Sequence, residues 1–146
     1  ASMTVRVATS ATSRRRDLAM RIDHLAIHVR DLDGAAKFFK EYFGAQVDET
    51  YHNPKTGLRS NFLKLDEGPR FEIMTRPGLK EQPSPTMCYG YTHMAFAVGS
   101  EVAVDELTER LRADGYKILS GPRVTGDGYY ETSLLGWEAI NIEITV

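Results

Sequence analysis

The sequence has one cysteine, no long hydrophobic run and no excess of basic residues. Cys88 has no second cysteine to pair with in the chain, so an intramolecular disulfide is excluded and nothing indicates an oxidising compartment. No stretch approaches the roughly 18 consecutive apolar residues that indicate a membrane-spanning helix. The formal net charge of -2 provides no basic surface for a phosphate backbone. We therefore expect a cytoplasmic protein that binds neither membranes nor nucleic acids.

A change of composition separates residues 1–19 from the rest of the chain. This segment has four arginines against one acidic residue, and it is rich in serine, threonine and alanine. Such a composition is typical of a transit peptide, but a tag remnant or an extended start before Met20 fits equally well. We treat residues 1–19 as an N-terminal extension and expect residues 20–146 to form one domain.

The domain contains an internal repeat. Residues 23–29 (DHLAIHV) match residues 92–98 (THMAFAV), and residues 71–73 (FEI) match residues 142–144 (IEI). Each copy therefore opens with a segment that contains a histidine and closes with a segment that contains a glutamate. Because repeats of this kind indicate duplicated structural units, the two copies are analysed as two modules.

Each module has the pattern of a β-α-β-β-β unit. After the histidine segment, an apolar pattern at helical spacing follows a capping residue, which is Asp31 or Asp33 in the first copy and Ser100 in the second. The helices are predicted to end at Gly44 and Gly115, and short β-type runs separated by turn residues follow them. We therefore predict an α+β fold.

The predicted modules are residues 21–79 and residues 91–146. The stretch of residues 76–85, which contains Pro77, Pro83 and Pro85, is predicted to be the linker that joins them.

Alternation along the predicted strands places polar and small side chains on one face, which we call the cup face. Successive side chains of a strand point to opposite faces, so His24, Ala26 and His28 share the cup face of the first module. His93 and Glu143 have the equivalent positions in the second module. The opposite face is apolar and is expected to lie under the helices.

Two histidines and two glutamates at matched positions predict a metal site, with His24, Glu72, His93 and Glu143 as ligands. A glutamate among apolar strand residues is costly to bury unless it is paired or bound to a cation. The mixed nitrogen and oxygen set suits Ni²⁺, Co²⁺, Zn²⁺, Mn²⁺ or Fe²⁺, and the absence of thiolates argues against a structural zinc site.

Because of the two repeated units and the four candidate ligands, residues 21–146 resemble the vicinal oxygen chelate superfamily. That superfamily includes glyoxalase I, methylmalonyl-CoA epimerase, extradiol dioxygenases, and fosfomycin-resistance and bleomycin-binding proteins. Residues 126–131 (GDGYYE) and 142–144 (IEI) also look like bacterial glyoxalase-type members. The resemblance implies two βαβββ modules that form an incomplete, cup-shaped mixed β-barrel around a metal, with the helices outside.

The set of two histidines and two glutamates is similar to that of glyoxalase I in particular. Epimerases of the family typically carry glutamine in the place of Glu72. The resemblance implies a lactoylglutathione lyase-like enzyme, a lyase or isomerase, that acts on a small α-carbonyl compound or its thiol adduct. Glu143 would move the proton through an enediolate, with Glu72 as its partner. The expected cofactor is one nickel, cobalt or zinc ion, and glutathione or another thiol is the expected co-substrate.

Two other functions stay open at this point. One is the epimerisation of an acyl-CoA such as methylmalonyl-CoA, and the other is sequestration of a toxic small molecule without catalysis. A homodimer is expected, and the metal site lies either within one chain or between two chains.

Four further residues are predicted to bind the small-molecule substrate. His28 stands where bacterial glyoxalase I commonly has an arginine that helps to hold glutathione. Arg59 and Asn61 alternate in a β-type run and are expected to hold a carboxylate or an amide, unless that side faces solvent. Glu131 is expected on the cup face, although a solvated carboxylate would fit the pattern equally well.

Overall fold

The protein is described by a computed structural model that covers residues 20–146, and the predicted extension of residues 1–19 lies outside the described residues. The helices and strands are, in chain order, β1 (His24–His28), α1 (Leu32–Phe43), β2 (Gln46–Val47), β3 (Tyr51–Asn53), β4 (Leu58–Lys64), β5 (Arg70–Thr75), β6 (Met94–Ala97), α2 (Glu101–Ala113), β7 (Lys117–Val124), β8 (Tyr130–Leu135) and β9 (Asn141–Thr145). A short 3-10 turn (Trp137–Ala139) joins the last two strands.

Each module folds into one open, mixed sheet with one helix. The first sheet has the strand order β1-β5-β4-β2, with β3 also paired to β4, and the second has the order β6-β9-β8-β7. The first and last strands of each module are neighbours and run parallel, while the other pairs are antiparallel. The predicted α+β fold of two repeated modules with open, cup-shaped sheets is confirmed.

The main difference from the predicted order is a broken second strand in the first module. The first β-type run after α1 is divided into the short strands β2 and β3, which both pair with β4. At the break, the Asp48 side chain accepts a hydrogen bond of 2.7 Å from the backbone N–H of Phe62, and the Asp48 N–H donates to the Phe62 carbonyl at 3.1 Å. A side chain thus replaces part of the strand ladder at this position.

Both helices begin at the capping residues that the sequence offered. Asp31 accepts a hydrogen bond from the Gly34 N–H at 3.0 Å, and Ser100 accepts one from the Ala103 N–H at 3.1 Å. Helix α1 ends at Gly44 as predicted, where a φ of 65° favours glycine. No helix within residues 20–146 combines the length and the apolarity that a membrane span requires.

An aromatic cluster joins the two modules into one core. The rings of Phe43 in α1 and Phe96 in β6 are stacked with their centroids 4.0 Å apart, and Phe39 meets Phe71 edge-on at 5.0 Å. Phe39 is fully buried and Phe71 and Phe96 are 5% exposed. Such contacts bury much apolar area, so the helix of the first module is held against the first strand of the second.

The apolar face of β1 is less buried than the alternation predicted. Leu25 is 52% exposed, whereas Val29 at the other end of the same face is 3% exposed. Only the end of β1 that leads into α1 lies under the core, since Val29 belongs to the core cluster and Leu25 does not.

Candidate functional site

Parallel pairing of the first and last strands brings the predicted ligands of each module together. The register places Ala26 of β1 opposite Glu72 of β5, and Ala95 of β6 opposite Glu143 of β9. Residues paired across neighbouring strands point to the same face, so both glutamates lie on the cup face. The alanine side chains opposite them leave space above the sheet.

Each glutamate lies close to the histidine of its own module. The distance between His24 Nε2 and Glu72 Oε2 is 3.9 Å, and that between His93 Nε2 and Glu143 Oε2 is 3.1 Å. Ligand atoms about 2.0–2.2 Å from one metal ion are roughly 3.0–3.5 Å from each other. The second pair thus already has the spacing of two ligands of one ion, and the first is slightly wider.

The two pairs do not combine within one chain. Across residues 20–146, no three His, Cys, Asp or Glu side chains are close enough to hold a metal ion. The imidazoles of His24 and His93 are 39% and 37% exposed, and the carboxylates of Glu72 and Glu143 are 14% and 21% exposed. Each module therefore presents two candidate ligands that are both accessible from solvent.

The residue before each histidine contacts the ring nitrogen that faces away from the glutamate. Asp23 Oδ2 lies 2.9 Å from Nδ1 of His24, and Thr92 Oγ1 lies 2.8 Å from Nδ1 of His93. An ionised carboxylate only accepts hydrogen bonds, so Nδ1 of His24 is the protonated nitrogen and Nε2 is left to bind a cation. Partners of this type orient metal-binding histidines and fix their tautomer.

Arg70 fixes Asp23 in turn. Its guanidinium lies 2.9 Å from Asp23 Oδ2 and 4.4 Å from the centre of the Phe62 ring, which also meets His24 edge-on. The hydrogen bond from His24, followed by the hydrogen bond and the charge of Arg70, lowers the pKa of Asp23 from 3.8 to about 2. The side chain therefore stays ionised at any physiological pH.

In the second module, Glu131 lies on the same face as Glu143. It pairs with Thr145 across β8 and β9, two residues from Glu143, and with Arg123 across β7 and β8. Burial and the neighbouring Glu143 carboxylate raise the pKa of Glu131, while Arg123 and His93 act in the opposite direction. A second carboxylate thus accompanies the metal-ligand candidate of this module.

A bulge in β7 brings Arg123 opposite Glu131. The register shifts between Ser120 and Arg123. Gly121 lies in that bulge with a φ of 97°, and a Cβ there would be 2.5 Å from the Glu131 carbonyl oxygen. Only glycine fits such a close approach to the neighbouring strand.

Of the other predicted substrate residues, His28 lies on the cup face and Arg59 and Asn61 do not. His28 is opposite Met74 in β5, on the same face as Glu72. Asn61 is opposite the buried Ile73, on the helix side of the sheet.

There the Asn61 amide donates hydrogen bonds to the Asp48 carbonyl at 3.0 Å and to Thr50 Oγ1 at 2.9 Å. Arg59 lies 3.6 Å from the Asp33 carboxylate at the start of α1. The expectation that Arg59 and Asn61 face into the cup is therefore not met. The pairing register of β4 against β5 puts the neighbouring residue, Phe62, on that face instead.

Sequence reasoning missed Asp23, Arg70 and Arg123 as members of the site. Asp23 carried a local signal, since a carboxylate directly before a ligand-type histidine is well placed to reach its second ring nitrogen. Arg70 and Arg123 carried none, because each reaches the site from a different strand than the residue it contacts.

Comparison with known proteins identifies several relatives. A family model described as Glyoxalase/Bleomycin resistance protein/Dioxygenase superfamily matches residues 21–137. The fosfomycin resistance protein FosX of Listeria monocytogenes is 32% identical over 108 residues, which are 73% of this chain and 75% of FosX. The protein PA2024 of Pseudomonas aeruginosa is 33% identical over 95 residues, 64% of this chain, and the chain spans only 65% of its length. Human mitochondrial methylmalonyl-CoA epimerase is 44% identical, but only over 45 residues, 31% of this chain and 26% of the epimerase.

Solved structures share the fold. The trypanothione-dependent glyoxalase I of Leishmania major superimposes with a TM-score of 0.69 at 22% identity, covering 87% of this chain and 86% of that one. FosX of Listeria monocytogenes, crystallised with Mn(II) and sulfate, superimposes with a TM-score of 0.63 at 21% identity, covering 86% and 90%.

Proposed function

The chain belongs to the glyoxalase/bleomycin resistance protein/dioxygenase superfamily, and we propose that it is a metal-dependent lyase or isomerase of the glyoxalase type. Its substrate would be a small α-carbonyl compound or the adduct of that compound with a thiol such as glutathione. The observation that carries this proposal is the repeated pair of histidine and glutamate, at matched positions on the cup faces of both modules.

The four side chains His24, Glu72, His93 and Glu143 fit one divalent transition metal, with nickel, cobalt or zinc as the expected ion. The chemistry of the donors supports this assignment, as do the spacing within each pair and the partner on each Nδ1. Such an ion supplies a positive charge that polarises a carbonyl oxygen and stabilises the negative charge of an enediolate.

Glu143 is the proposed base. Its carboxylate is partly exposed above Ala95, where a substrate carbon can approach it, and His93 is at hydrogen-bonding distance. It would take the proton from the carbon next to the carbonyl group and return it to the neighbouring carbon. Burial and the neighbouring Glu143 carboxylate raise the pKa of Glu131, so a second acidic side chain accompanies the proposed base. Glu72 would complete the site from the other module.

Since no three ligands meet in residues 20–146 of one chain, we place the complete site between two chains. In a twofold dimer, the pair from module one of one chain would face the pair from module two of its partner, so each dimer would have two equivalent sites. The exposure of both pairs supports this arrangement, since a ligand set open to solvent can accept ligands from a second chain.

Mixing two defective variants tests the shared site. His24→Ala and His93→Ala chains, co-expressed with different tags and purified as a mixed dimer, would form one site lacking both histidines and one intact site. We expect about half of the wild-type metal content in this dimer, and little in either variant alone. If the mixed dimer binds no more metal than the single variants, each site lies within one chain.

The reaction itself is tested with the metal-loaded protein. Wild-type protein loaded with Ni²⁺, Co²⁺ or Zn²⁺ should isomerise a hemithioacetal of methylglyoxal and glutathione, and in D₂O it should incorporate solvent deuterium. The Glu143→Gln variant should do neither. Full metal occupancy without consumption of hemithioacetals or exchange of α-protons in any carbonyl substrate would contradict the proposed reaction.

An acyl-thioester epimerase is a second candidate, and the local match to methylmalonyl-CoA epimerase supports it. This reaction also removes a proton next to a carbonyl group, so the same ion and the same base would serve it. Deuterium exchange at the α-carbon of methylmalonyl-CoA, without isomerisation of hemithioacetals, would favour the epimerase.

A further inference from the structure

The short 3-10 turn before β9 belongs to module two, but its side chains contact module one. The Glu138 carboxylate accepts hydrogen bonds from the backbone N–H groups of Arg30 and Asp31, at 2.7 and 3.0 Å. These two residues lie 108 and 107 positions earlier in the chain, between β1 and α1. The turn therefore joins the corner between the first strand and the first helix of module one to the start of β9.

Glu138 replaces a side chain that α1 lacks. In a capping box, a glutamate or glutamine three residues after the N-cap accepts a hydrogen bond from the N–H of the N-cap residue. The N-cap of α1 is Asp31, and three residues later stands Gly34, which has no side chain. The carboxylate of Glu138 accepts the Asp31 N–H instead. Its negative charge also lies at the positive end of the helix dipole, so module two stabilises the helix of module one.

Trp137 occupies the space that Gly34 leaves open. A Cβ added at Gly34 would overlap the indole ring, so the ring lies directly against the helix backbone. The indole N–H donates a hydrogen bond of 2.9 Å to Glu138 Oε2. Glycine is unfavourable inside a helix, and this close approach explains its presence in α1. We call the contacts of Trp137 and Glu138 with residues 30–34 the clamp.

The conformation of the turn depends on the clamp. Glu138 and Ala139 have φ values of 49° and 61°, in the left-handed region that residues with a Cβ disfavour. A hydrogen bond of 2.8 Å from the Gly136 N–H to the Ile140 carbonyl closes the turn. Residues stay in such a conformation only where surrounding contacts determine it, and Glu138 has these contacts with module one. The direction in which the chain enters β9 thus depends on module one.

From these contacts we propose that Glu138 is a positioning residue. It fixes the orientation of β1 in module one relative to β9 in module two, and with it the relative orientation of the two ligand pairs of one chain. The consequence for the site rests on the proposed function. In the proposed twofold dimer, each chain contributes one pair to each of two sites, so both sites form together only if that orientation is fixed. The clamp itself requires no metal.

Two substitutions break the clamp from opposite sides. Glu138→Gln keeps the size of the side chain and removes its charge. Gly34→Ala displaces the indole ring from α1, although alanine is the better helix residue. Glu106→Gln makes the same chemical change at an exposed position of α2 and is the matched control.

NMR of the metal-free protein tests the clamp directly. In Glu138→Gln and in Gly34→Ala, the N–H groups of Arg30 and Asp31 should exchange with solvent roughly tenfold faster than in the wild type. Residual dipolar couplings of the backbone N–H groups measure the orientation of the two modules. Both clamp variants should differ from the wild type in this orientation, and Glu106→Gln should not.

A core variant separates positioning from a general loss of stability. Val104→Ala removes buried volume from α2 without touching the clamp, and it should lower the free energy of unfolding. It should leave the orientation of the modules and the affinity for Co²⁺ unchanged. The clamp variants should bind Co²⁺ about tenfold more weakly than the wild type, because the ligands are no longer held in place.

Unchanged amide exchange or an unchanged module orientation in both clamp variants would overturn the proposal. A changed orientation with wild-type affinity for Co²⁺ would also overturn it, since the clamp would then have no effect on the site. The NMR measurements are independent of the proposed reaction. If the clamp variants change orientation and the wild type binds no metal, the proposed function fails and the clamp stands. If the wild type binds metal and turns over while the clamp variants keep the wild-type orientation, only the role of Glu138 is lost.

Discussion

The two modules present the same pair of side chains, a histidine and a glutamate, in different surroundings. In module one, Asp23 fixes the His24 ring, Phe62 meets the ring edge-on, and the imidazole and the carboxylate are 3.9 Å apart. In module two the partner of the histidine is the hydroxyl of Thr92, the pair is closer at 3.1 Å, and Glu131 adds a second carboxylate. The repeat keeps the histidine and the glutamate, while the residues that contact them differ.

This difference suits the two histidines to different roles in the proposed site. A carboxylate partner fixes the tautomer of a histidine and raises its basicity, which favours firm binding of an ion. A threonine hydroxyl can donate or accept, so it leaves the tautomer of His93 free. With two carboxylates near that histidine, module two is the better place for proton transfer.

The largest expected contrast is between the two glutamates. At saturating metal, Glu143→Gln should reduce turnover by roughly 10²- to 10⁴-fold, the usual contribution of a general base. Glu72→Gln should mainly weaken metal binding, so that excess metal restores much of the activity. Initial rates measured across a metal titration separate the two cases. If excess metal rescues Glu143→Gln and not Glu72→Gln, the roles are reversed.

The next contrast concerns the core under the two histidine strands. Phe96 and Ile27 have the same position in the repeat, but Phe96 is 5% exposed and stacks on Phe43, while Ile27 is only partly buried. Phe96→Ala should lower the free energy of unfolding by about 3–5 kcal/mol and Ile27→Ala by about 2 kcal/mol. Urea denaturation of the metal-free protein measures both, and a larger loss for Ile27→Ala would show that module one carries more of the core.

A smaller contrast is expected for the partners of the histidines. Asp23→Asn should weaken metal binding by about 10- to 100-fold, because it removes the charge that orients His24. Thr92→Val should weaken metal binding by less than about tenfold, since a neutral hydrogen bond is weaker than one to a charged group. Competition with a chromophoric chelator gives both affinities. Equal losses would mean that the two histidines are held equally firmly.

The smallest effect is in the titration of Asp23. In metal-free protein its carboxyl group should titrate at a pKa of about 2, and Arg70→Leu should raise this value towards 3.8. Because the folded pKa is the lower one, ionised Asp23 stabilises the fold above pH 3.8, and this contribution is lost as the pH falls through 2. Glu131 should shift in the opposite direction, with a pKa above its ordinary value. Carboxyl ¹³C NMR resolves both groups, and an unshifted Asp23 would contradict the contact with Arg70.

The sequence was sufficient to predict the repeated fold and the proximity of each histidine to the glutamate of its module. The repeated histidine and glutamate segments are local signals, and alternation along a strand decides which residues share a face. The parallel pairing of β1 with β5 and of β6 with β9 then places each histidine near its glutamate.

The sequence alone did not predict which residues of β4 face the cup, or which residues of different strands are in contact. A shift of one residue in the register against β5 exchanges the two faces of β4, so Phe62 faces the cup and Asn61 the helix. Leu25 is exposed because it lies outside the core cluster, and the extent of that cluster depends on how the whole chain packs.

The parallel pairing of the first and last strands has a consequence for how the protein matures. Each pair of ligands joins the opening and the closing strand of its module, so it exists only after the whole module has been synthesised and folded. A growing chain that has β1 but not yet β5 has His24 without Glu72. Contacts between such distant segments form late, because closing a long loop costs entropy before the contact contributes. Only chains whose modules have folded would therefore bind the metal, and binding would stabilise their folded state by mass action. The metal content of a preparation would thus measure the fraction of correctly folded chains.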